Sequence, residues 1–393
     1  VQTCALPIWR MKVRKVLLRI IASVLALFFT ANVLICSLSY AYLGDPLGLF
    51  KIIRVAQIVN NHYVSGVDGK SLLSGALEGL VATLDDRHTL YLGGDDFREF
   101  TESTNAAYGG IGIYLSQTDE KKPFVAGLME GMPAEEAGLE RGDIITAING
   151  ESVDSMKLED ISKRIRGPVG TNVTLTVSRN GEERDFDVVR KEITIKTVAS
   201  RMMENKVGYI RIASFSAGTA EEFAEAYKTL KEDGMTGLIV DVRNNPGGLV
   251  DQAAGVADYL LPEGSTVVTF SQRNDEDQVF TTKAAGVKIP LVVLVNENSA
   301  SASEILAGDV QDLHAGVIIG TNTYGKGTVQ AVYPVDDDSA VKVTIAKYKT
   351  ASGREVDGTG IEPDVVVPLE ANDNTDYQLQ KALETIQSMQ ENR

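Results

Sequence analysis

Apolar residues are grouped differently in successive parts of this chain. An uncharged apolar run, Ile20–Leu43, comes first. As a helix at 1.5 Å per residue it would reach about 36 Å, enough to cross a bilayer with some tilt. Residues 48–105 then read as helical. In FKIIRVAQIVNNHY the positions Ile52, Val55, Ala56 and Val59 follow the 3.6-residue period, and SLLSGALEGLVATL extends it. From Tyr108 the pattern turns β-rich, in YGGIGIYL, PFVAGLME and DIITAING. A helical stretch, KLEDISKRIRG, follows. Two alternating strands in TNVTLTVSRNGEERDFDVVR then meet at Arg179-Asn180-Gly181-Glu182, a hairpin turn. Beyond Val207, strand runs (VGYIRIASF, GLIVDVR, IPLVVLV, VIIG) alternate with helical ones (TAEEFAEAYKTLKEDG, DQAAGVADYLL). That alternation predicts an α/β layer with some parallel pairing. AVYPV and AVKVTIAKYKT add strands, and DYQLQKALETIQSM predicts a closing helix. No internal repeat of about 20–50 residues stands out.

Charge refines the N-terminal reading. Lys12, Arg14, Lys15 and Arg19 precede the apolar run, so that flank is expected to stay cytoplasmic and the rest of the chain to lie outside. An uncleaved anchor over 11–44 is favoured. A cleaved signal peptide is the rival, with Ser39-Tyr40-Ala41 as a cleavage site, but its apolar region would be longer than usual. Lipidation at Cys36 is weaker, because Ile35 stands where a small residue is expected. Residues 1–10, VQTCALPIWR, fit nothing that follows and are read as a sequence-assembly scar ahead of Met11. The expected segments after the anchor are 45–104 (helical), 105–192 (β-rich), 193–368 (α/β) and 369–393 (helical tail).

Composition removes several functions. The chain has 393 residues, 44% hydrophobic and 23% charged, which allows two or three ordinary globular domains. Its net charge of −16 disfavours nucleic acid, whose phosphates need clustered Lys and Arg. Both cysteines, Cys4 and Cys36, precede the soluble region, so no thiolate nucleophile or cysteine metal site is expected there. His62, His88 and His314 lie far apart, without a His-x-x-x-His pair, so neither a metal nor a cofactor is expected. His88, in LDDRHTLYL, reads as a loop or packing residue.

Three stretches carry candidate chemistry. In NENSASASEILAGDV, small residues with three serines join an apolar strand to a helix. Ser301 with Glu304 fits a capping box, the plain structural reading, which Ser299 and Ser303 share. In TYGKGTVQ, Lys326 sits between two glycines at the start of a strand, so Lys326, Thr328 and Gln330 share a face. A buried lysine loses its proton more easily and can serve a serine as base. No acid lies within nine residues of Lys326 to hold the ammonium, and Gln330 could orient the amine. A surface lysine in a turn is the plain reading. DVRNNPGG, after a buried strand, could present backbone N–H groups to an oxyanion, or be only a strand–helix turn. In the β-rich unit, the glycines of YGGIG allow a backbone nest for a peptide carboxylate beside an added strand. A glycine-rich strand entry with no ligand is the alternative.

The β-rich unit resembles a PDZ domain in GGIG, in EGMPAEEAGLERGDIITAING and in IRGPVGT. The chain as a whole is similar to the carboxy-terminal processing protease family of serine peptidases, which are PDZ-containing and tail-specific. The likeness runs from about residue 50 to 370, through LDDRHTLYL, GGIGI, DVRNNPGG, SASASEILAG, YGKGTVQ and GTGIEPDVVV. It implies a multidomain α/β and α+β fold: N-terminal membrane anchor, helical segment, PDZ-like β domain, crotonase-like α/β protease core and C-terminal helix. By the same likeness Ser301 is the nucleophile, Lys326 the base and Gln330 its support. The backbone N–H groups of Gly247 and Ala302 form the oxyanion hole. Gly109, Gly110, Ile111 and Gly112 bind the peptide, and Arg166 loosely matches the arginine that couples binding to activity. The implied partners are proteins with accessible C-termini outside the cytoplasm, the membrane through the anchor, and a second copy in a homodimer. One departure, YKTASGRE, lacks a proline after the threonine and lies away from the catalytic motifs.

Three other readings compete. His314, 13 residues past Ser301, could complete a Ser/His/Asp triad, but it would sit near the far end of the helix that Ser301 starts. A membrane-anchored PDZ scaffold with an inactive protease core is the second. A crotonase-like acyl-CoA enzyme is the third, and it leaves no place for the PDZ-like insert or a Ser/Lys pair.

Overall fold

The structure, a computed structural model, describes residues 6–273, 276–284, 286, 288–368 and 375–392. Residues 1–5 of the expected scar, Cys4 among them, and residues 369–374 and 393 of the expected tail lie outside the described residues. The chain divides into two compact units, Val1–Asp85 and Asp86–Arg393.

In the first unit a helix spans Leu6–Leu43. Its Lys15–Leu43 stretch holds 18 residues of mean hydropathy 2.3, none of them buried, so by length and composition it is a candidate membrane anchor. Helices Gly48–His62 and Gly69–Ala82 follow. The second starts at Asp68, whose carboxylate accepts the Ser71 N–H at 3.0 Å, an N-cap.

The second unit opens with a departure from the helical period. Leu90–Gly93 is a strand, paired antiparallel with the far C-terminal strand Ser339–Lys349, Leu90 opposite Lys342. Four residues carry too little periodicity to announce a strand whose partner is so distant in sequence. The helix Asp95–Asn105 leads to the short strand Ala107–Gly110, which pairs with Lys191–Thr194 at the entrance and exit of the β-rich unit. Within that unit the strand order is Ile113–Gln117, Pro123–Leu128, Ile144–Ile148, Asn172–Arg179, Glu182–Val189. Ile111, Val125, Ile145, Ile161 and Val173 form its own core. Asn180 and Gly181, at φ 56° and 86°, make the tight hairpin that their residue types favour.

The α/β layer has the strand order Val198–Met202, Val207–Ile212, Gly237–Asp241, Leu291–Val295, Val317–Gly320, Val365–Val366. All pairs but the first are parallel. Gly237–Asp241 and Leu291–Val295 are buried at every residue, as strands covered on both faces must be. Helices Thr219–Glu232, Val250–Leu260 and Ala302–Asp312 contribute to the larger core, and Tyr377–Glu391 to a separate one on the layer. A second sheet joins Leu90–Gly93, Ser339–Lys349, Thr266–Gln272 and Gln278–Thr281, with Thr328–Asp336 also on Ser339–Lys349.

Candidate active site

The loop after Leu291–Val295 is built by side chains that hold backbone. Ser299 is fully buried and its hydroxyl donates to the Val242 carbonyl at 2.8 Å; Ser303 donates to the Asn245 carbonyl at 3.0 Å. These two serines are structural. Ser301 is half-buried and holds φ 54°, ψ −115°, a left-handed backbone that a non-glycine residue adopts only when its surroundings impose it. The helix Ala302–Asp312 begins immediately after it, so the Ala302 N–H lies in the first turn, where no intrahelical acceptor exists.

Glu304 ties this loop to the lysine loop. Its Oε2 accepts the N–H groups of Ser301 and Lys326 at 2.8 and 2.9 Å. Its Oε1 accepts the Gly325 N–H at 2.7 Å and the Thr323 hydroxyl at 2.6 Å. Burial pushes this carboxyl up, and the four donors oppose that shift. The Tyr348 phenol adds a second tie, donating to the Lys326 carbonyl at 2.6 Å and lying 3.3 Å from the Ser301 carbonyl. The segments bearing Ser301 and Lys326 are thus fixed to each other through backbone. Ser301 Oγ and Lys326 Nζ are not hydrogen-bonded to each other.

Lys326 is half-buried and its pKa is lowered. Burial is the largest cause, and the cations Lys342 and Arg87 add to it; Glu304 and Asp86 act against it. Acids therefore do reach Lys326, from distant segments rather than from its own loop, and burial outweighs them. Gln330 shares a face with Thr328, and its Nε2 donates to Thr328 Oγ1 at 3.0 Å and Thr344 Oγ1 at 3.2 Å. His88 is not remote from this site. Its pKa is lowered by burial and then by the charges of Lys326 and Arg87.

DVRNNPGG wraps the other side of Ser301. Arg243 bonds both Asp241 and Asp376, and its pKa is raised by those carboxylates against the opposing effect of burial. Asn244 and Asn296 hydrogen-bond each other. Gly247 sits at φ 95°; a Cβ there would lie 2.5 Å from the Ala300 carbonyl oxygen, 2.8 Å from Ser301 Cβ and 2.9 Å from the Ala302 nitrogen. Gly247 is therefore packed against the serine turn. Its own N–H is occupied, donating to Asn245 Oδ1 at 2.9 Å.

In the β-rich unit a cavity of about 340 Å³ is lined by Gly110, Ile111, Gly112, Met129, Ile165 and Arg166 among others. Gly112 holds φ 80°. Gly109 stands outside this lining: a Cβ on it would meet the Gly167 carbonyl at 2.0 Å, so close backbone packing explains that glycine. The Arg166 guanidinium lies 4.0 Å over the Tyr108 ring and 3.7 Å from Glu102 Oε2. His314 lies beyond the far end of the serine helix, after its cap at Leu313, as the spacing implied. Among the described residues no group of three or more His, Cys, Asp or Glu is placed to hold a metal ion.

Comparison with known proteins places the chain in a family. The family model for peptidase family S41 matches residues 206–367, a PDZ domain model matches 124–179, and the model for the N-terminal domain of the activating protease CtpB matches 43–95. The carboxy-terminal processing protease CtpA of Bacillus subtilis is 36% identical over 352 residues, covering 89% of this chain and 75% of that protein. The chain belongs to the carboxy-terminal processing proteases of peptidase family S41.

A CtpA-like serine protease of Staphylococcus aureus is 35% identical over 326 residues; the match covers 82% of this S41 peptidase but only 65% of that protein. A solved S41 protease from Bacteroides fragilis superposes with TM-score 0.50 at 17% identity, over 85% of this chain and 97% of that one, a likeness of fold. The β-rich unit of this serine-type peptidase is thus a PDZ domain, and its α/β layer is the peptidase domain. Sequence reasoning gave Glu304 only a capping role and missed Tyr348, Thr344 and Asp86 altogether. The S-x-x-E spacing is the one visible sign of Glu304; its three other partners, Thr323, Gly325 and Lys326, lie in a separate loop.

Proposed function

We propose that this protein is a serine endopeptidase that binds the C-terminus of extracytoplasmic proteins in its PDZ groove and cuts near it with a Ser301/Lys326 dyad. The observation that carries this is the single buried carboxylate of Glu304, which clamps the backbones of Ser301 and Lys326 together. In this mechanism neutral Lys326, oriented by Gln330, takes the Ser301 hydroxyl proton as Oγ attacks the peptide carbonyl. The N–H groups of Ala302 and Gly247 receive the oxyanion, each such donor contributing on the order of 3 kcal/mol to the transition state. The lysine returns the proton to the leaving amine. It then activates water for hydrolysis of the acyl-enzyme. A crotonase-like core suits these steps, since its strand-to-helix loops present N–H groups at the carboxyl ends of parallel strands.

The occupied Gly247 N–H gives the PDZ domain a task. Arg166, at the groove, faces Glu102 on the helix Asp95–Asn105. From that helix the Ser103 and Thr104 carbonyls accept the Ser216 hydroxyl and the Ala217 N–H, at 2.8 and 2.9 Å. Phe215, next in line, donates its N–H to the Gly247 carbonyl at 2.9 Å. A peptide carboxylate that draws Arg166 from Glu102 would pull on the oxyanion loop through this series of contacts and release the Gly247 N–H from Asn245. Gly110, Ile111 and Gly112, with Gly109 behind them, would hold that carboxylate as the peptide adds a strand. The N-terminal helix would anchor the enzyme to the membrane with the catalytic region outside, and a homodimer of such chains completes the proposal.

The scaffold reading draws on the same occupied N–H, which leaves the oxyanion hole incomplete at rest. Purified full-length chain decides between them. Hydrolysis of C-terminally exposed peptides, abolished in Ser301→Ala and Lys326→Ala, supports the protease; peptide binding without any cleavage supports the scaffold. Comparing protein C-termini in cells carrying active chain or Ser301→Ala would name the substrates.

A further inference from the structure

Arg87 stands in the turn ahead of the strand Leu90–Gly93, far in sequence from the serine and lysine motifs. Two contacts hold its exposed side chain. Its Nε–H donates to His88 Nε2 at 3.2 Å, and its guanidinium lies 5.4 Å over the Tyr324 ring. Neither partner is an acid. The hydrogen bond needs a His88 Nε2 without a proton, and burial of that ring, with the charges of Lys326 and Arg87, favours this state. Asp86, one residue earlier, commits its carboxylate to the Thr89 hydroxyl at 2.6 Å and the His88 N–H at 3.0 Å. Among the described residues no carboxylate lies within ion-pair distance of Arg87. Both Nη groups of an immobilised guanidinium are therefore left to an outside acceptor.

Tyr324 sets where that acceptor would lie. Its N–H donates to the Ser299 carbonyl at 3.0 Å, so the residue two before Lys326 is fastened to the residue two before Ser301. Its ring is exposed, and Arg87 over it borders both catalytic segments. Lys342, opposite Leu90 in the ladder, brings a second cation, and the charges of both reach the Lys326 amine. An extended peptide advances about 3.3 Å per residue, so a chain lying across Ser301 passes this corner within a few residues of the scissile bond.

A guanidinium is a planar fork whose paired N–H groups match a carboxylate. Holding the fork still before binding lowers the ordering cost of using it. We propose that Arg87 is a specificity-determining residue: it receives the carboxylate of an Asp or Glu side chain that lies within a few residues of the bond Ser301 attacks. His88 and Tyr324 aim it. The chain's net charge of −16 repels an acidic segment at long range, so a local cation is what lets one settle. Arg87 also bears on the protonation of Lys326, but that effect acts on every substrate alike. A ratio between two substrates removes it, because both meet the same lysine.

The inference rests on the Ser301/Lys326 reading, and the test separates the two. kcat/KM is measured with full-length wild type, Arg87→Gln, Arg87→Lys, Arg87→Glu, Ser301→Ala and Lys326→Ala. The fluorogenic peptides share one free C-terminus and differ only in carrying Glu or Gln at successive positions on either side of the bond cut. The shared terminus keeps its own carboxylate out of the comparison. Wild type is expected to prefer Glu over Gln by about fivefold to tenfold at one or two adjacent positions. Arg87→Gln loses that preference, Arg87→Lys keeps part of it, and Arg87→Glu favours Gln. Raising the salt from about 0.05 M to about 0.5 M shrinks the wild-type preference. If wild type shows no preference, or Arg87→Gln changes the Glu and Gln peptides by the same factor, while Ser301→Ala and Lys326→Ala are inactive, the recognition role falls alone. If wild type cuts nothing, or Lys326→Ala cuts at the wild-type rate, the catalytic reading falls and this one with it.

Discussion

Replacing Glu304 by Gln removes one of two acceptor oxygens while keeping the shape of the side chain. Whichever way the new amide turns, two of the four donors now at 2.6–2.9 Å face an NH₂ group. Two hydrogen bonds to a charged group are lost, at about 1.5–3 kcal/mol each, or about 3–6 kcal/mol together. A neutral amide also escapes the burial that pushes this carboxyl up, which offsets part of the loss. A net cost near 3 kcal/mol follows, a large share of the ~5–15 kcal/mol that holds a domain together. Because the lost bonds join the Ser301 and Lys326 segments, the cost should appear in rate as well as in stability. Thermal unfolding of the full-length chain is expected to shift down by roughly 5–10 °C, and kcat to fall by about a hundredfold. A melting point within about 1 °C of wild type, with kcat within about twofold, would show that the carboxylate is not the clamp described here.

Other substitutions probe neighbouring parts. Gly247→Ala places a methyl 2.5 Å from the Ala300 carbonyl oxygen at φ 95°, so peptide hydrolysis should fall by about a hundredfold or more while circular dichroism stays close to wild type. Lys342→Met removes a cation that lowers the Lys326 pKa, so the acid limb of the pH–rate profile should move to higher pH. Arg166→Ala should weaken binding of a peptide with a free C-terminal carboxylate by about tenfold or more and leave its C-terminal amide almost unchanged, measured by fluorescence anisotropy.

What could be read from the sequence was whatever is local. The serine turn, the Gly-Lys-Gly start of its strand and the Pro-Gly-Gly loop each declare a backbone shape within a few residues. The alternation of apolar runs likewise declares an α/β layer. Partnership across the chain has no such signature. The strand Leu90–Gly93 exists because Ser339–Lys349 offers it an edge, so a helical period read over 48–105 could not reveal it. The acids that act on Lys326, Glu304 and Asp86, arrive from segments other than its own loop, where sequence spacing has nothing to say. The hydrogen bond that occupies the Gly247 N–H depends on a side-chain torsion of Asn245, which residue identity leaves open.

The account turns on an uncharged lysine activating a serine, and single-turnover acylation of Ser301 by an activated ester measures that step alone. Wild-type protein should acylate at a rate that rises with pH to a midpoint below the ordinary lysine value of 10.5, while Lys326→Ala should be slower by about a hundredfold or more at every pH. Equal acylation rates in wild type and Lys326→Ala across that range would contradict it.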